Sequence, residues 1–470
     1  MKKMIRIFGI VVAWIVFAGI LLAGCTTSQE NDSLSGDTGT RTDEQETVVL
    51  TYGYIDAYSF QDMPDSIRER IVAFNRSQNE YFIEIIKYGE DSYTDGLNAL
   101  NADISAGKGP DILEIANEQL LYQYGRKGII EDLYSYLDEG EWPGREDFVE
   151  NILANFEVDG KLYGMVPFFK IMSLIGNPNC IDMERVSFAQ LKEMYEENRD
   201  NEDIRIYNAL TKRYLLYYCI LPSIESFVDL EAGTCDFVNA DFQELLEFSA
   251  QFEDYDVGTC DQMFEDYDKL QEDKMYLYFD GPIGSFKNYT HYRVLMGKSA
   301  LLVGFPSLAG CGPKINTNSS YLAINSKSKH KDIAWQFICT FLEDQYLSSH
   351  DNYTADVGFP VTRSGFESML QKALEENTEL DENGNIVSGE HSISYTSLKG
   401  EERKYPIYSP TEEEAAYIRE IISNAKPRQN YGQIEEIIGE EIENYWNGTK
   451  TVQEVMEVIQ NRAQLYLNEL

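Results

Sequence analysis

The sequence predicts an α/β fold in two lobes. Strand-type and helix-type patterns alternate over residues 48–115 with short connections, which is typical of a parallel sheet covered by helices on both faces. Extended segments return at residues 275–279 and 321–324 after a long helical region. The chain of 470 residues is also longer than one hydrophobic core usually serves. We therefore expect two lobes.

The first lobe begins with five predicted elements. They are a strand over residues 48–54, a helix from Pro64, a strand over 81–88, a helix from Tyr93 and a strand over 111–115. In the first helix, Ile67, Ile71 and Phe74 recur at the spacing of one buried face. Ligands of such sheets gather beyond the carboxyl ends of the strands. The segments that leave those ends, 54–60 and 116–119, are therefore the first place to look for a site.

Polar and aromatic side chains occur together in both segments. The first holds Tyr54, Asp56 and Tyr58, and the second holds Asn117 and Glu118. A tyrosine ring can stack on the apolar face of a ligand while its hydroxyl group binds a polar rim. Asn117 and Glu118 are equally consistent with a plain helix start, where asparagine caps the first turn and glutamate favours the helix dipole.

The region after residue 160 predicts the second lobe. Its predicted elements are an extended segment over 162–169, a helix after Ser187, a helix over 207–221, a helix from Asn239, extended segments over 275–279 and 358–361, and a loop over 381–404. Asp280 with Gly281 either binds solute or turns the chain, and Phe305 is a candidate for the cleft wall. Two late helices have capping-box pairs, Thr411 with Glu414 and Thr451 with Glu454.

The N-terminus resembles the signal of a bacterial lipoprotein. Three basic residues precede an uncharged apolar run of 18 residues, 7–24, which ends in Leu-Ala-Gly before Cys25. We expect residues 1–24 to be a signal peptide, Cys25 to carry the lipid, and the polar stretch 25–47 to be a flexible tether. An uncleaved anchor helix is the alternative, since the run is near the lower limit for a membrane span. Both place the body of the chain outside the cell, on the extracellular face of the cytoplasmic membrane.

The charge balance excludes several partners. From Cys25 onward the chain has 36 basic and 80 acidic residues, a net charge of −44. Such a surface repels nucleic acid and anionic lipid headgroups, so we expect membrane contact only through the lipid. Solubility explains this balance more simply than a cleft for a cationic ligand does.

The sequence has no recognisable catalytic or metal-binding motif. After Cys25 the six cysteines form no CxxC pair, and their spacing chooses no disulfide pairing. The four histidines form no HExxH motif, and there is no GxSxG motif. We expect no metal, no cofactor and no enzymatic activity, although the many acidic residues leave a glycosidase as a formal alternative.

Several short motifs together resemble the extracellular solute-binding proteins of ABC transporters, in the branch that includes maltose-binding protein. The motifs occur in the order of that family, at residues 109–112, 159–167, 281–282, 326–338, 358–361 and 460–469. The resemblance implies a type II periplasmic-binding-protein-like fold, with a multi-strand hinge between two lobes. It also implies a monomer that holds a small solute between the lobes and delivers it to permease subunits.

The resemblance assigns boundaries and site residues. Lobe 1 would comprise residues 48–160 and 295–350, and lobe 2 residues 161–294 and 351–470. The acidic ligand residue of the family matches Glu118, with Asn117 beside it. The aromatic-bearing turn after Gly-Pro matches the segment with Ser285 and Phe286.

The chain departs from the family in the aromatic residues that would contact the solute. Sugar-binding members often place tryptophans against the sugar, whereas here only Trp142, Trp335 and Trp446 follow the signal. The 32 tyrosines would have to supply the stacking. We expect a mono- or oligosaccharide, with a polyamine or peptide as alternative solutes and a scaffold or adhesion lipoprotein as the alternative class.

Overall fold

The computed structural model describes most of the chain after the predicted tether. The described residues are 47–55, 65–89, 92–140, 142–254, 260–317, 319–349, 358–375, 392–396, 400–406, 409–427, 429 and 431–469. Residues 47–470 form one compact unit. In the described part of the chain, no helix combines the length and the apolar character that a membrane span requires.

Strands and helices alternate along the described chain. The strands are β1 (Val48–Ile55), β2 (Tyr81–Tyr88), β3 (Ile112–Ile115), β4 (Phe168–Met172), β5 (Leu174–Gly176), β6 (Arg205–Tyr207), β7 (Val228–Asp229), β8 (Thr234–Cys235), β9 (Met275–Tyr278), β10 (Leu301–Gly304), β11 (Lys314–Asn316), β12 (Tyr321–Ile324), β13 (Phe359–Pro360), β14 (Ser392–Thr396) and β15 (Glu402–Pro406). The helices are α1 (Asp65–Ser77), α2 (Tyr93–Ser105), α3 (Glu118–Arg126), α4 (Tyr134–Glu139), α5 (Ile152–Asn155), α6 (Phe188–Asn198), α7 (Lys212–Leu215), α8 (Ala240–Ser249), α9 (Cys260–Gln271), α10 (Phe286–Met296), α11 (Lys331–Cys339), α12 (Asp344–Ser349), α13 (Arg363–Glu375), α14 (Glu412–Asn424), α15 (Gln433–Trp446) and α16 (Val452–Leu467).

The first sheet has the order β12-β3-β1-β2 and confirms the five elements predicted for the first lobe. Strands β1, β2 and β3 are parallel, and β12 pairs antiparallel with β3. Asp111 fixes the register at the start of β3, because its carboxylate accepts bonds from the Thr51 amide and hydroxyl, both at 2.9 Å, and from the Ser328 hydroxyl at 2.6 Å. The carboxyl ends of β1 and β3 therefore lie side by side.

The outer edge of β2 is covered by two amide side chains. Asn75 donates to the Ile83 carbonyl at 3.0 Å and accepts from the Ile83 amide at 2.8 Å. Gln78 does the same for Tyr81, at 2.8 and 2.7 Å. Free strand edges pair readily with other chains, so these two side chains occupy positions at which a second strand would otherwise bind. Phe82, between the two bonded positions, is exposed.

Replacing Asn75 by alanine should destabilise the protein and expose this edge. Both bonds to Ile83 are lost, and at about 1 kcal/mol per bond the free energy of unfolding should fall by about 2 kcal/mol. Chemical denaturation would measure the loss, and sedimentation velocity would detect self-association. Asn98→Ala is the matched control, because Asn98 is exposed on α2 and the change in helix propensity is the same. Equal stability of the two variants would contradict the role of Asn75.

The second sheet has the order β10-β5-β9-β6, and it differs in part from the elements predicted for this region. The predicted helix over 207–221 is wrong at its start, because Tyr207 ends strand β6, which runs parallel to β9. The chain becomes helical only at Lys212, continues as a π turn over Leu216–Ile220 and ends in a 3₁₀ turn over Leu221–Ser226. Strand β10, placed in lobe 1 by the predicted boundaries, pairs with β5 of the second sheet.

A three-stranded sheet, β11-β4-β13, connects the two larger sheets and forms the hinge of this two-lobe fold. Just before β4, Met165 pairs with Leu322 of β12, which lies opposite Glu114 near the carboxyl end of β3. Just after β4 the chain enters β5. Gly358 precedes β13 with φ of 118°, and a Cβ atom there would lie 2.7 Å from the Phe169 carbonyl oxygen. Only glycine permits this approach.

Two hydrophobic cores fill the described molecule. The larger surrounds the first sheet and continues along one face of the second through Tyr278, while the smaller packs on the opposite face through Leu277. Trp335 lies in the larger core, and both predicted capping boxes are present. The predicted loop over 381–404 is wrong for its described part, since β14 and β15 form an antiparallel hairpin.

Candidate functional site

The carboxyl end of the first sheet carries three of the predicted site residues. Tyr54 is buried near the end of β1. Asn117 is exposed and caps α3 by accepting a bond from the Leu120 amide at 2.8 Å, and its own amide group donates to the Tyr93 hydroxyl at 2.9 Å. Glu118 is the first, half-buried residue of α3. Asp56, Tyr58 and Cys25 lie outside the described residues.

Glu114 of β3 adds a carboxyl group near this end of the sheet. It was not among the site residues predicted from the sequence. It accepts a hydrogen bond from the Tyr52 hydroxyl at 2.8 Å. Burial raises the pKa of Glu114, and hydrogen bonds from Tyr52 and Ser320 oppose that rise. Ser320 lies on the segment that leads from hinge strand β11 to β12, so a hydrogen bond joins Glu114 to that segment.

Lys170 lies at the centre of hinge strand β4, where it faces Asn316 of β11 in the strand pairing. Its side chain is 1% exposed. A lysine this deeply buried is costly unless it has polar partners, and it is the one charged side chain in a strand that is otherwise apolar. The sequence offered no signal for it beyond a single lysine in an apolar run.

The carboxyl end of the second sheet carries Asp280 and Gly281. Asn208 follows β6, and its side chain clamps the Phe279 backbone. It donates a hydrogen bond to the Phe279 carbonyl and accepts one from the Phe279 amide, both at 2.9 Å. This clamp aligns the ends of β6 and β9. Gly281 then turns the chain with φ of 129°, in the region that favours glycine.

The Asp280 carboxyl group faces inward across this turn. It accepts a hydrogen bond from the Tyr292 hydroxyl. Although the residue is exposed, the protein around it desolvates the carboxyl group and raises its pKa, with the Tyr292 bond opposing that rise. Desolvation disfavours the charged form of a carboxyl group, whereas a hydrogen bond to that form favours it.

Ser285 and Phe286 serve the fold. Ser285 is buried and caps α10 by accepting from the Asn288 amide at 3.1 Å. Phe286 is 1% exposed and packs edge-to-face on Phe359 and Phe366. A ring with so little free surface cannot stack on a solute, so we leave Phe286 out of the proposed site.

Four aromatic rings form a wall at the carboxyl end of the second sheet. We call Tyr214, Tyr218, Phe279 and Phe305 the aromatic wall. The Tyr218 ring is stacked on Phe305 with centroids 4.8 Å apart, and it lies 5.0 Å from Phe279 and 5.4 Å from Tyr214. Phe279 and Phe305 are 7% and 4% exposed, whereas both tyrosines are half-buried. The phenylalanines therefore support the tyrosines, which present the free surface.

The π turn positions the two tyrosines of the wall. Tyr214 is on α7 and Tyr218 is within the π turn, four residues later. The intervening Leu215 and Leu216 and the following Cys219 and Ile220 are buried in the smaller core. π turns are rare in proteins, but those that occur are often at functional sites. The sequence showed an aromatic-rich segment here, but its assignment as one regular helix over 207–221 hid this arrangement.

The described residues offer no metal centre or disulfide. No group of three or more His, Cys, Asp or Glu side chains among them is placed to hold a metal ion. The five cysteines whose side chains are described, Cys180, Cys219, Cys235, Cys311 and Cys339, are free thiols. What the site offers within the described chain is therefore hydrogen bonds, stacking surface and carboxyl groups.

Comparison with known proteins agrees with this architecture. The family model of the bacterial extracellular solute-binding protein matches residues 69–368. Similar solved structures include a family 1 extracellular solute-binding protein from Alicyclobacillus acidocaldarius subsp. acidocaldarius DSM 446, at 16% identity and a TM-score of 0.51, which covers 90% of this chain and 100% of its own. Another is the sugar-binding protein MalE from Xanthomonas citri, at 13% identity and a TM-score of 0.55, covering 90% and 98%.

A third is the cyclic α-maltosyl-1,6-maltose binding protein from Arthrobacter globiformis, at 15% identity and a TM-score of 0.52, covering 90% and 100%. At these identities the solved structures establish the shared two-lobe fold of type II periplasmic binding proteins. The family model spans more than half of the sequence. The chain therefore belongs to the bacterial extracellular solute-binding protein family.

Proposed function

We propose that this protein is a lipid-anchored extracellular receptor that captures a small neutral solute, a mono- or oligosaccharide, and delivers it to an ABC permease. The observation that carries the proposal is the aromatic wall at the carboxyl end of the second sheet. Strand β4 connects that end with the polar carboxyl end of the first sheet, where Asn117 and Glu118 lie. Aromatic stacking on one side and hydrogen-bonding groups on the other suit a sugar ring.

Closure of the two lobes about the hinge explains how the receptor would capture its solute. A solute that contacts both lobes only when they are closed shifts the population toward the closed form, by as much as its affinity for the two forms differs. The permease then accepts the closed receptor. Residues 48–160 remain our proposal for the main part of lobe 1, and the segment that returns to lobe 1 begins after β10, because β10 pairs in the second sheet.

We prefer a neutral solute to a polyamine because the described site combines stacking rings with hydrogen-bonding side chains. Solved structures of the same fold include proteins described as binding sugars, and this supports the same solute class here.

Anchoring at Cys25 and export by residues 1–24 complete the proposal. The polar tether over 25–47 would let the receptor reach its permease while the lipid holds it at the extracellular face of the cytoplasmic membrane. Metabolic labelling of the expressed protein with a radioactive fatty acid, compared with a Cys25→Ser variant, tests the anchor separately from binding.

A thermal-shift screen of the chain from Thr26 onward tests the receptor proposal. The library should contain sugars, glycans, amino acids, peptides and polyamines. A ligand at one hundred times its dissociation constant stabilises the folded protein by about 2.7 kcal/mol, so the melting temperature should rise with one class of sugar. Glu118→Ala should weaken that binding about 10-fold if the carboxylate accepts bonds from the solute.

Glu139→Ala is the matched control, because Glu139 is exposed at the end of α4. A rise with cations alone would replace the sugar by a polyamine or basic peptide. Release of sugar from a glycoside would instead indicate an enzyme. No rise across the library would favour a scaffold lipoprotein and contradict the receptor proposal.

A further inference from the structure

A hydrogen bond joins the segments that follow β2 and β3. Tyr93 is the first residue of α2, just after β2, and Asn117 caps α3, just after β3. The side-chain amide of Asn117 donates to the Tyr93 hydroxyl at 2.9 Å. Strand β1 lies between β3 and β2 in the first sheet, so this bond spans the carboxyl end of β1.

The first turn of α2 lies against that end of β1. Ile55, the last residue of β1, pairs with Tyr88 at the end of β2. A Cβ atom at Gly96 of α2 would lie 2.7 Å from the Ile55 side chain and 2.8 Å from the Tyr88 carbonyl oxygen. Further along the same two helices, the Tyr124 hydroxyl of α3 donates to Asn101 of α2 at 2.8 Å. Helices α2 and α3 are therefore held relative to each other and to the end of the sheet.

The cap on α3 decides how the Asn117 side chain is oriented. The backbone N–H of Leu120 can only donate, so the side-chain atom that faces it at 2.8 Å is the Asn117 oxygen. The nitrogen of Asn117 then faces Tyr93, and because this nitrogen only donates, the Tyr93 oxygen accepts their bond. The proton of the Tyr93 hydroxyl is therefore directed away from Asn117.

Tyr93 has this proton to donate at neutral pH. Desolvation raises the pKa of Tyr93, and the hydrogen bond from Asn117 opposes that rise only in part. Within the described chain, Asn117 is the only residue that bonds to the Tyr93 hydroxyl. The Tyr93 side chain is half-buried, so part of its surface remains for a solute. The carboxyl end of the first sheet thus presents an oriented hydrogen-bond donor.

We propose that Tyr93 is a specificity-determining residue, whose hydroxyl donates to an acceptor oxygen of the solute, and that Asn117 is the positioning residue that directs this proton. The inference rests on the proposed function and deepens it. A hydroxyl or ether oxygen of a sugar can accept such a bond, whereas the ammonium groups of a polyamine only donate. A site built to bond one oxygen also rejects the analogue that lacks it.

Calorimetric titration with the sugar identified by thermal shift tests the role of Tyr93. Tyr93→Phe keeps the ring and should lower the affinity about 10-fold, the scale of one hydrogen bond. Among the monodeoxy derivatives of that sugar, the one without the accepting oxygen should bind the unaltered protein about 10-fold more weakly than the parent sugar. The Tyr93→Phe variant should bind this derivative and the parent sugar equally. Tyr124→Phe is the matched control, because it removes the other hydroxyl group that joins α2 to α3.

Asn117→Asp tests the positioning role. Aspartate caps a helix as well as asparagine does, so the melting temperature should be retained. The new carboxylate would accept the Tyr93 proton and turn it away from the solute, which should lower the affinity about 10-fold. The losses from Tyr93→Phe and Asn117→Asp should not add in the double variant. Asn239→Asp is the control, since Asn239 caps α8 by accepting from the Phe242 amide at 2.9 Å, and it should leave the affinity unchanged.

Several results would overturn the inference. Unchanged affinity in Tyr93→Phe, or an equal loss in Tyr124→Phe, would exclude the specific role of the Tyr93 hydroxyl while leaving the receptor proposal intact. Additive losses in the double variant would exclude the positioning role of Asn117. Binding of cations alone by the unaltered protein would overturn both the sugar proposal and this inference.

Discussion

Replacing Glu414 by alanine is expected to lower the free energy of unfolding by about 4 kcal/mol, the cost of breaking a buried ion pair by removing one partner. The Glu414 side chain is 2% exposed, and its ion-pair partner Arg293 is 22% exposed. The carboxylate accepts bonds from the Arg293 guanidinium and the Ser299 hydroxyl, both at 2.7 Å, and from the Thr411 amide at 2.9 Å. All three donors lose this acceptor in the variant.

The large expected loss of stability follows from the positions of the three partners of Glu414. Thr411 caps α14, whereas Arg293 is on α10 and Ser299 is on the connection from α10 to β10. Glu414 therefore joins a capping box to a helix more than one hundred residues away. Helix α10 begins just after the Gly281 turn, so the ion pair links α14 to the helix that follows that turn.

Glu413→Ala is the matched control, since Glu413 is exposed in the same first turn of α14. Its loss should change stability by less than about 0.5 kcal/mol, as for most surface substitutions. Chemical denaturation of both variants gives the comparison. A Glu414→Ala variant no less stable than Glu413→Ala would show that the pair contributes nothing beyond its own desolvation cost.

The pairing of Glu414 with Thr411 was predictable from the sequence, but its pairing with Arg293 was not. A capping box is a local pattern of four residues. Contacts between residues far apart in sequence depend on how the sheets assemble. The same distinction applies to the first lobe, where helical periodicity and turn residues located β1, α1, β2, α2 and β3, but nothing indicated that Asn75 and Gln78 cover the edge of β2.

The second lobe was harder to predict because its strands are short. Strands β5 and β6 have three residues each, too few to establish an alternating pattern. Tyr207 continues directly into a further aromatic-rich stretch, which favoured one helix over 207–221. The hairpin of β14 and β15 is polar in composition and was interpreted as a loop. Tertiary pairing decided these segments, as local propensity is only a weak prior.

The sequence indicated segments for the candidate site more than individual residues. The rule that ligands bind beyond the carboxyl ends of strands led to Asn117 and Glu118, which lie at the carboxyl end of the first sheet. Phe286 was chosen from the family resemblance, which matches a segment and does not say which rings meet, and it lies in the core. Tyr214 and Tyr218 join Phe305 only because strand β6 ends at Tyr207 and the π turn shifts the rings that follow.

Replacing Tyr218 by alanine is expected to reduce the affinity for the solute about 100-fold, the scale of losing a central binding residue. The ring contacts the other three members of the aromatic wall, with centroids 4.8 to 5.4 Å away. Its removal deletes a stacking surface and also the support that orders Tyr214. Calorimetric titration with the sugar identified by thermal shift would measure the loss.

Tyr218→Phe separates the ring from its hydroxyl group and should retain binding within about 5-fold, since stacking depends on the ring face. Tyr276→Ala provides a second control, because Tyr276 is a half-buried tyrosine in the middle of β9, two residues before the strand reaches its carboxyl end. It should lose stability but bind with nearly unchanged affinity once folded. If Tyr218→Ala bound as tightly as Tyr218→Phe, the wall would be a packing feature of the smaller core, and the stacking surface for the solute would have to lie elsewhere.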